Sequence, residues 1–381
     1  MKVVIACDSF KGSLSSENVC SAIKEGIFNV DKNIEVLERP IADGGEGTVD
    51  ALVKCMHGVK KKIVVHGPLE EKVEAEYGMI QSTNTAIIEM SSAAGITLVK
   101  KEDRNPLFTT TYGVGEIIKD AIKEGCKKFI IGIGGSATND GGVGMLMALG
   151  YTFLDENDIP ISLGAIGLKK LHHIDESNVF SDIKDCQFRI ACDVDNPLCG
   201  ELGASNIYGP QKGADEEMIS QMDTWLKNYA DISKKTHPDA DENHPGSGAA
   251  GGMGFAFRTF LDGELESGIH IVLDETKLEN DIKDADIIFT GEGKIDEQSV
   301  MGKVISGLAE LTRKYDKPLI ALAGSVENEK ECHQIGITSC FPIVRGVTSL
   351  EEAMDPINAK YNLVITSEEI MRTILSNQKG K

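Results

Sequence analysis

Short, unbroken apolar runs recur at both ends of this chain, and each leads into a polar loop and then a helical spacing. Val3–Ala6 is the first such run. A strand covered on both faces loses the usual apolar–polar alternation, so a run of this kind reads as a buried parallel strand. Leu14, Ser15 and Ser16 supply a staple and an N-cap, and Val19, Ala22, Ile23 and Ile27 follow at helical spacing. A second strand is expected over Ile34–Ile41, and Val49, Leu52, Val53 and Met56 mark a helix. The rhythm returns late. Strands are expected over Asp286–Thr290, Pro318–Ala323 and Ser339–Val344, a helix through Val300, Val304, Leu308 and Leu311, and a last helix near Glu368–Leu375. Alternating strands and helices imply a parallel sheet with right-handed crossovers.

The middle of the chain differs. Lys60–Val65, Lys72–Met79 and Thr85–Glu89 read as strands joined by short polar turns, an antiparallel meander. A helix is expected over Gly113–Lys123 and a strand over Gln187–Cys192. Residues 234–247, polar and carrying Pro238 and Pro245, read as an exposed loop. A length of 381 residues suits two or three domains. We read one α/β domain built from residues 1–60 and 282–381, interrupted by a mixed α/β domain over 61–281.

The loops carry the chemistry. Phe129–Ile133 is an apolar strand that empties into Gly134, Gly135, Ser136, Ala137, Thr138, Asn139, Asp140, Gly141 and Gly142, with helical spacing from Val143. Glycines admit an anion close to backbone N–H groups, and a helix N-terminus adds positive dipole charge. Taken alone, the run fits a phosphate site and an ordinary strand-to-helix turn equally well. Similar loops occur at Asp8–Ser13, at Asp43–Gly47 and at Gly291–Asp296. Ligands of parallel sheets sit beyond the carboxyl ends of the strands, so these loops are expected to converge on a cleft closed by the inserted domain. Asp8 and Lys11 suit a polar, anionic substrate, or else a capped turn and a solvated ammonium. Asp43 and Glu46 could hold Mg²⁺ or cap the following helix. Asp193, after the strand ending at Cys192, could accept the proton of an alcohol that attacks a phosphoryl group, or could end the strand in an Asx-turn.

The totals exclude several classes. The net charge of −21 and the 5% aromatic content oppose nucleic-acid binding, and a uniformly acidic surface opposes anionic membranes. Nine cysteines, an odd number without a Cys-x-x-Cys pair, argue for reduced thiols rather than disulfides or zinc. The early apolar run meets Asp8 too soon for a signal peptide, so a cytoplasmic location is expected. The Gly-Lys pairs at 293–294 and 302–303 are followed by Ile295 and Val304, so neither is a P-loop.

Seven blocks taken together resemble the bacterial type I glycerate kinase family: Asp8–Ser13, Ala42–Thr48, Gly132–Gly142, Cys192–Leu198, Tyr208–Ala214, Gly246–Gly252 and Thr290–Asp296. They occur in the family's order, and Gly324–Val326 is also similar. The resemblance implies ATP-dependent phosphorylation of D-glycerate with Mg²⁺, and a flavodoxin-like domain split around a second α/β domain. The 2-hydroxyl is favoured over the 3-hydroxyl as acceptor. Roles within the blocks are assigned from chemistry. Asp193, Lys11 and Asp8 are expected to be catalytic. Ser9, Lys11, Asp43, Gly44, Gly45 and Asn196 are expected to bind substrate. Gly134, Gly135, Ser136, Thr138, Asn139, Asp140 and Gly141, with Gly291 and Gly293, are expected to bind nucleotide phosphate. Glu292, Asp296 and Asp43 are expected to hold the metal. D-glycerate and ATP are the expected partners, with a homodimer as a further expectation. Two other readings remain: a phosphate- or acyl-phosphate-transferring enzyme with another acceptor, and a two-lobed sensor without turnover.

Overall fold

The computed structural model describes residues 1–42, 47–296 and 304–378. The chain divides into two compact units. Residues 1–42, 50–56, 269–296 and 304–378 form the first, and residues 47–49 and 57–268 form the second.

In the first unit β1 (Lys2–Ile5) and β2 (Glu35–Glu38) flank the helix Ser16–Val30. Ser15 caps that helix, its side chain accepting from the Asn18 N–H at 3.3 Å. The second unit contributes β3 (Val59–His66), β4 (Lys72–Ile80), β5 (Thr85–Glu89), β6 (Lys128–Gly132), β7 (Thr152–Leu154), β8 (His173–Asp175), β9 (Gln187–Ala191) and β10 (Glu264–Glu266). The chain then re-enters the first unit through β11 (Ile287–Ile295), β12 (Leu319–Val326) and β13 (Ser339–Pro342).

The first sheet runs β2-β1-β11-β12-β13, and every pair in it is parallel. Counted within the unit this is order 2-1-3-4-5, the flavodoxin-like arrangement, with its switch point between β1 and β11. Apolar residues from one face of the sheet form a core with two helices. Ile5, Phe289 and Leu322 pack with Ile23 and Ile27 of the first helix and with Leu363 and Met371 of the last. Each such side chain contributes about 1.5–3 kcal/mol by leaving water. The two helices meet at Gly26, where a Cβ would lie 2.1 Å from the Ser367 hydroxyl, so only glycine fits.

The last helix spans Pro356–Gln378 and therefore starts twelve residues before the expected Glu368. Its first turns carry Ile357 and Tyr361 exposed, which hides the apolar spacing that marks Leu363, Val364, Ile370 and Met371. A second correction concerns β11. The expected loop Gly291–Asp296 is strand up to Ile295, with Gly291 paired to Leu322 and Glu292 to Ala323.

The second unit holds a six-stranded sheet in the order β10-β9-β6-β5-β4-β3. β3, β4 and β5 form the expected antiparallel meander, and β5, β6, β9 and β10 are parallel. Phe129 and Phe188 stack at 4.9 Å between β6 and β9, and Ile88, Ile117, Met145, Tyr229 and Phe257 extend this core. Residues 234–247 are not a wholly exposed loop. Ala240, Glu242 and Ser247 are buried, and Glu242 is held by Lys234 at 2.5 Å and Lys227 at 3.3 Å. No helix among the described residues is long and apolar enough to cross a membrane.

Candidate active site

In the first unit the switch point is bordered by the exits of β1 and β11. Asp8 is buried there. Its N–H donates to the Gly291 carbonyl at 2.9 Å, and its Oδ1 accepts from the Ser9 N–H at 2.6 Å. Phe10 and Leu14 fold onto each other through paired backbone bonds of 2.8 and 3.0 Å, with Gly12 at φ +76° in the turn. The turn leaves Lys11 exposed, and no carboxylate pairs with it among the described residues. Gly291 and Gly293 lie inside β11. A Cβ on Gly291 would meet the Leu322 carbonyl at 2.5 Å, and one on Gly293 the Lys11 nitrogen at 3.5 Å. Close approach of the β12 backbone therefore accounts for Gly291, whereas a Cβ at Gly293 would make only ordinary contacts.

Two of the expected metal ligands, Glu292 and Asp296, belong to β11 and its exit. They are four positions apart, Glu292 within the strand and Asp296 just past its end. Asp296 also faces the Lys294 ammonium at 3.8 Å. Among the described residues no group of three His, Cys, Asp or Glu side chains could hold a metal. Asp43, the third expected metal ligand, and Gly44 and Gly45, expected to bind substrate, lie outside the described residues.

In the second unit the register aligns Glu89, Gly132, Ala191 and Glu266 in one row across β5, β6, β9 and β10. Two positions beyond that row, Gly134 and Asp193 leave neighbouring strands, which run about 4.8 Å apart. Asp193 is exposed, and its Oδ1 accepts from the Ser267 hydroxyl at 2.9 Å and the Gly268 N–H at 3.0 Å. Asn196 is engaged structurally. Its Oδ1 accepts from the Tyr208 hydroxyl at 2.6 Å, and its Nδ2 donates to the Leu202 carbonyl at 2.8 Å.

The glycine-rich loop has two parts with different roles. Its first part is clamped edge-on to the segment before it, with Ile96 N–H on the Gly135 carbonyl at 2.8 Å and Ala137 N–H on the Ala94 carbonyl at 2.9 Å. Gly135 adopts φ +73°, and among the described residues nothing accepts the N–H of Gly134, Gly135 or Ser136. Gly134 and Gly135 are exposed. Consecutive free amides around a left-handed residue make an anion-binding concavity.

The second part turns inward. Thr138, Asn139 and Asp140 are at most 1% exposed. Asp140 itself receives the amides that the helix Val143–Ala148 would offer an anion, with Gly142 N–H at 3.1 Å and Gly144 N–H at 3.3 Å. Thr111 adds its N–H and its hydroxyl, each at 2.9 Å. Burial pushes the Asp140 carboxyl above its ordinary pKa, against the pull of the Thr111, Gly142 and Gly144 donors. The helix N-terminus is therefore capped from within, and the open donors are those of Gly134–Ser136. Asn139 donates to the Ser205 hydroxyl at 2.9 Å. Gly141 donates to the Gly251 carbonyl at 2.9 Å, where Ala250, Gly251 and Gly252 are successive left-handed residues.

One further residue had no assigned role in the sequence. Lys212, inside the block Tyr208–Ala214, is 2% exposed and donates to the Thr138 carbonyl at 2.6 Å. A lysine between glutamine and glycine carries no local sign of burial, so only the block itself marks it.

A family model described as the glycerate kinase family matches residues 3–375. The chain belongs to the glycerate kinase family. It is 46% identical over 376 residues to the glycerate 2-kinase of Escherichia coli (strain K12), covering 98% of each chain. It is 47% identical over 371 residues to a glycerate kinase of Bacillus cereus (strain ATCC 10987 / NRS 248), covering 97% of each. A crystal structure from Salmonella typhimurium LT2, described as a glycerate kinase 2, superposes with a TM-score of 0.91 at 42% identity, over 100% of this chain and 99% of that one. The match in sequence and the match in fold therefore name the same glycerate kinase family.

Proposed function

We propose that this glycerate kinase transfers the γ-phosphoryl group of ATP to the 2-hydroxyl of D-glycerate by direct in-line displacement. The observation that carries the phosphate assignment is the row of unused amides at Gly134–Ser136, beside the exit that bears Asp193. In this reading the amides receive nucleotide phosphate, and Asp193 orients the acceptor hydroxyl and takes its proton. The acceptor oxygen bonds to the γ-phosphorus as the bond to the β-phosphate oxygen breaks, and ADP leaves. Lys11, an exposed cation in a chain of net charge −21, takes the glycerate carboxylate or the migrating phosphoryl group, with Asp8 and Ser9 shaping its turn. Phosphoryl transfer depends on positioning and charge neutralisation more than on covalent chemistry from the protein. Mg²⁺ would neutralise the phosphates as part of the nucleotide complex, and no step here is routed through a protein metal site.

Phosphorus NMR after incubation with ATP, Mg²⁺ and D-glycerate tests the reading. A 2-phosphoglycerate resonance is expected. A 3-phosphoglycerate product overturns the regiochemistry, and nucleotide left unchanged overturns the activity.

A further inference from the structure

Two residues past the amide row, the Thr138 carbonyl is held by a lysine that this reaction scheme does not use. Lys212 closes the short turn Pro210–Lys212, and its ammonium is removed from solvent. Its one hydrogen bond goes to the Thr138 carbonyl, and among the described residues no carboxylate forms an ion pair with it. Gly213 follows at φ +94°, where a Cβ would lie 2.2 Å from the Arg104 carbonyl, so the turn is seated by a contact that only glycine permits. Burying a charge is costly where no carboxylate hydrogen-bonds to it, and a methionine would fill the same space without that cost. The packing of the fold alone gives no reason for a lysine here.

The charged and titratable groups around this position are few. Asp140 comes from the loop, with its oxygens already engaged by Thr111, Gly142 and Gly144. Arg104 packs behind Gly213, and Tyr229 of the helix Glu216–Ser233 packs against Gly141. Burial drives the Lys212 pKa down to about 7, against the pull of Asp140.

We propose that Lys212 is a positioning residue, whose ammonium holds the Thr138 carbonyl inward and gains a hydrogen-bond-free counter-charge beyond Asp140 when nucleotide phosphate occupies the Gly134–Ser136 amides. The proposal rests on the phosphate reading of that loop. A peptide unit is planar and trans, so fixing the Thr138 carbonyl toward the core fixes the Asn139 N–H on the opposite side and sets the path of the loop. Linkage is reciprocal. An anion that favours the charged lysine must draw a proton onto it, and the charged lysine must tighten the anion.

Calorimetry of MgADP binding to the whole protein at pH 8, in two buffers of different ionisation heat, reads this directly. The unsubstituted protein is expected to take up a fraction of a proton as MgADP binds. Lys212→Met is expected to abolish the uptake and weaken MgADP about tenfold, within the usual range of coupling energies, with glycerate KM unchanged. A merely structural role would lower the folded fraction without moving the proton count. Should Lys212→Met fail to fold, Lys212→Arg keeps the charge, cannot release a proton at this pH, and is expected to bind MgADP without uptake. Absence of uptake in the unsubstituted protein overturns the proposal, as does unaltered uptake in either variant. Gly135→Ala separates the two levels. If it leaves MgADP affinity unchanged, the loop reading fails and the proposal with it. If it weakens MgADP while the unsubstituted protein takes up no proton, only the role of Lys212 fails.

Discussion

Thr111 binds Asp140 twice through one oxygen, its N–H and its hydroxyl both reaching Oδ2 at 2.9 Å. That double bond joins the start of the helix Tyr112–Lys123 to the inner half of the glycine-rich loop. Asp140→Ala should strand the Thr111, Gly142 and Gly144 donors in the core. Hydrogen bonds to a buried charged group contribute about 1.5–3 kcal/mol, so a loss of about 3 kcal/mol is expected in urea unfolding. A loss below about 1 kcal/mol would remove the carboxylate from this structural role.

The left-handed stretch Ala250–Gly252 makes a paired prediction. A Cβ on Gly251 would lie 2.1 Å from the Thr138 carbonyl at a φ of +69°. Gly251→Ala should therefore destabilise by about 3 kcal/mol or more. Ala250 already carries a Cβ at φ +51°, so Ala250→Gly should be neutral or stabilise by up to about 1 kcal/mol. Thermal melts of both variants check the contrast in sign.

Asp193 and Lys11 should separate kinetically. Asp193→Asn keeps the shape and removes the proton acceptor, so kcat should fall about 10²–10⁴-fold with little change in either KM. Lys11→Ala should raise glycerate KM well above ATP KM. Steady-state kinetics with each substrate varied decides both, and a near-normal kcat for Asp193→Asn would sink the base assignment.

Glu242 gives a pH dependence of defined sign. Burial pushes its carboxyl up, but hydrogen bonds from Lys234, from its own backbone N–H and from Lys227 outweigh that and hold it at about 2, below the ordinary 4.5. The native state therefore binds its proton more weakly than the unfolded chain does. The stabilisation is full above pH 4.5 and is lost as the pH falls toward about 2. Denaturation midpoints followed through this range should drop less steeply in Glu242→Gln than in the unsubstituted protein.

The sequence made the parallel strands and the glycine-rich loop visible because continuous apolar runs and clustered glycines are local signals. The division of labour within the loop was not local. Asp140 reads as an anion-site residue until Thr111, twenty-nine positions earlier, is known to bond it. Glu292 reads as a loop residue because Gly291 and Gly293 flank it, whereas pairing with β12 extends the strand through Ile295. Pro356–Gln378 was underestimated because its first turns expose apolar side chains. Contacts distant in sequence decided the first two cases, and local exposure the third.

The insertion between β2 and β11 has a consequence for biosynthesis. Lys2 donates to Asp286, 284 positions away, and Val3 pairs with Ile287. At about 5–20 residues per second, the ribosome needs roughly 15–55 s between making these two strands. For that interval β1 and β2 are without their central partner, and a nascent chain stalled there would present an unpaired apolar strand to chaperones or to its neighbours on a polysome.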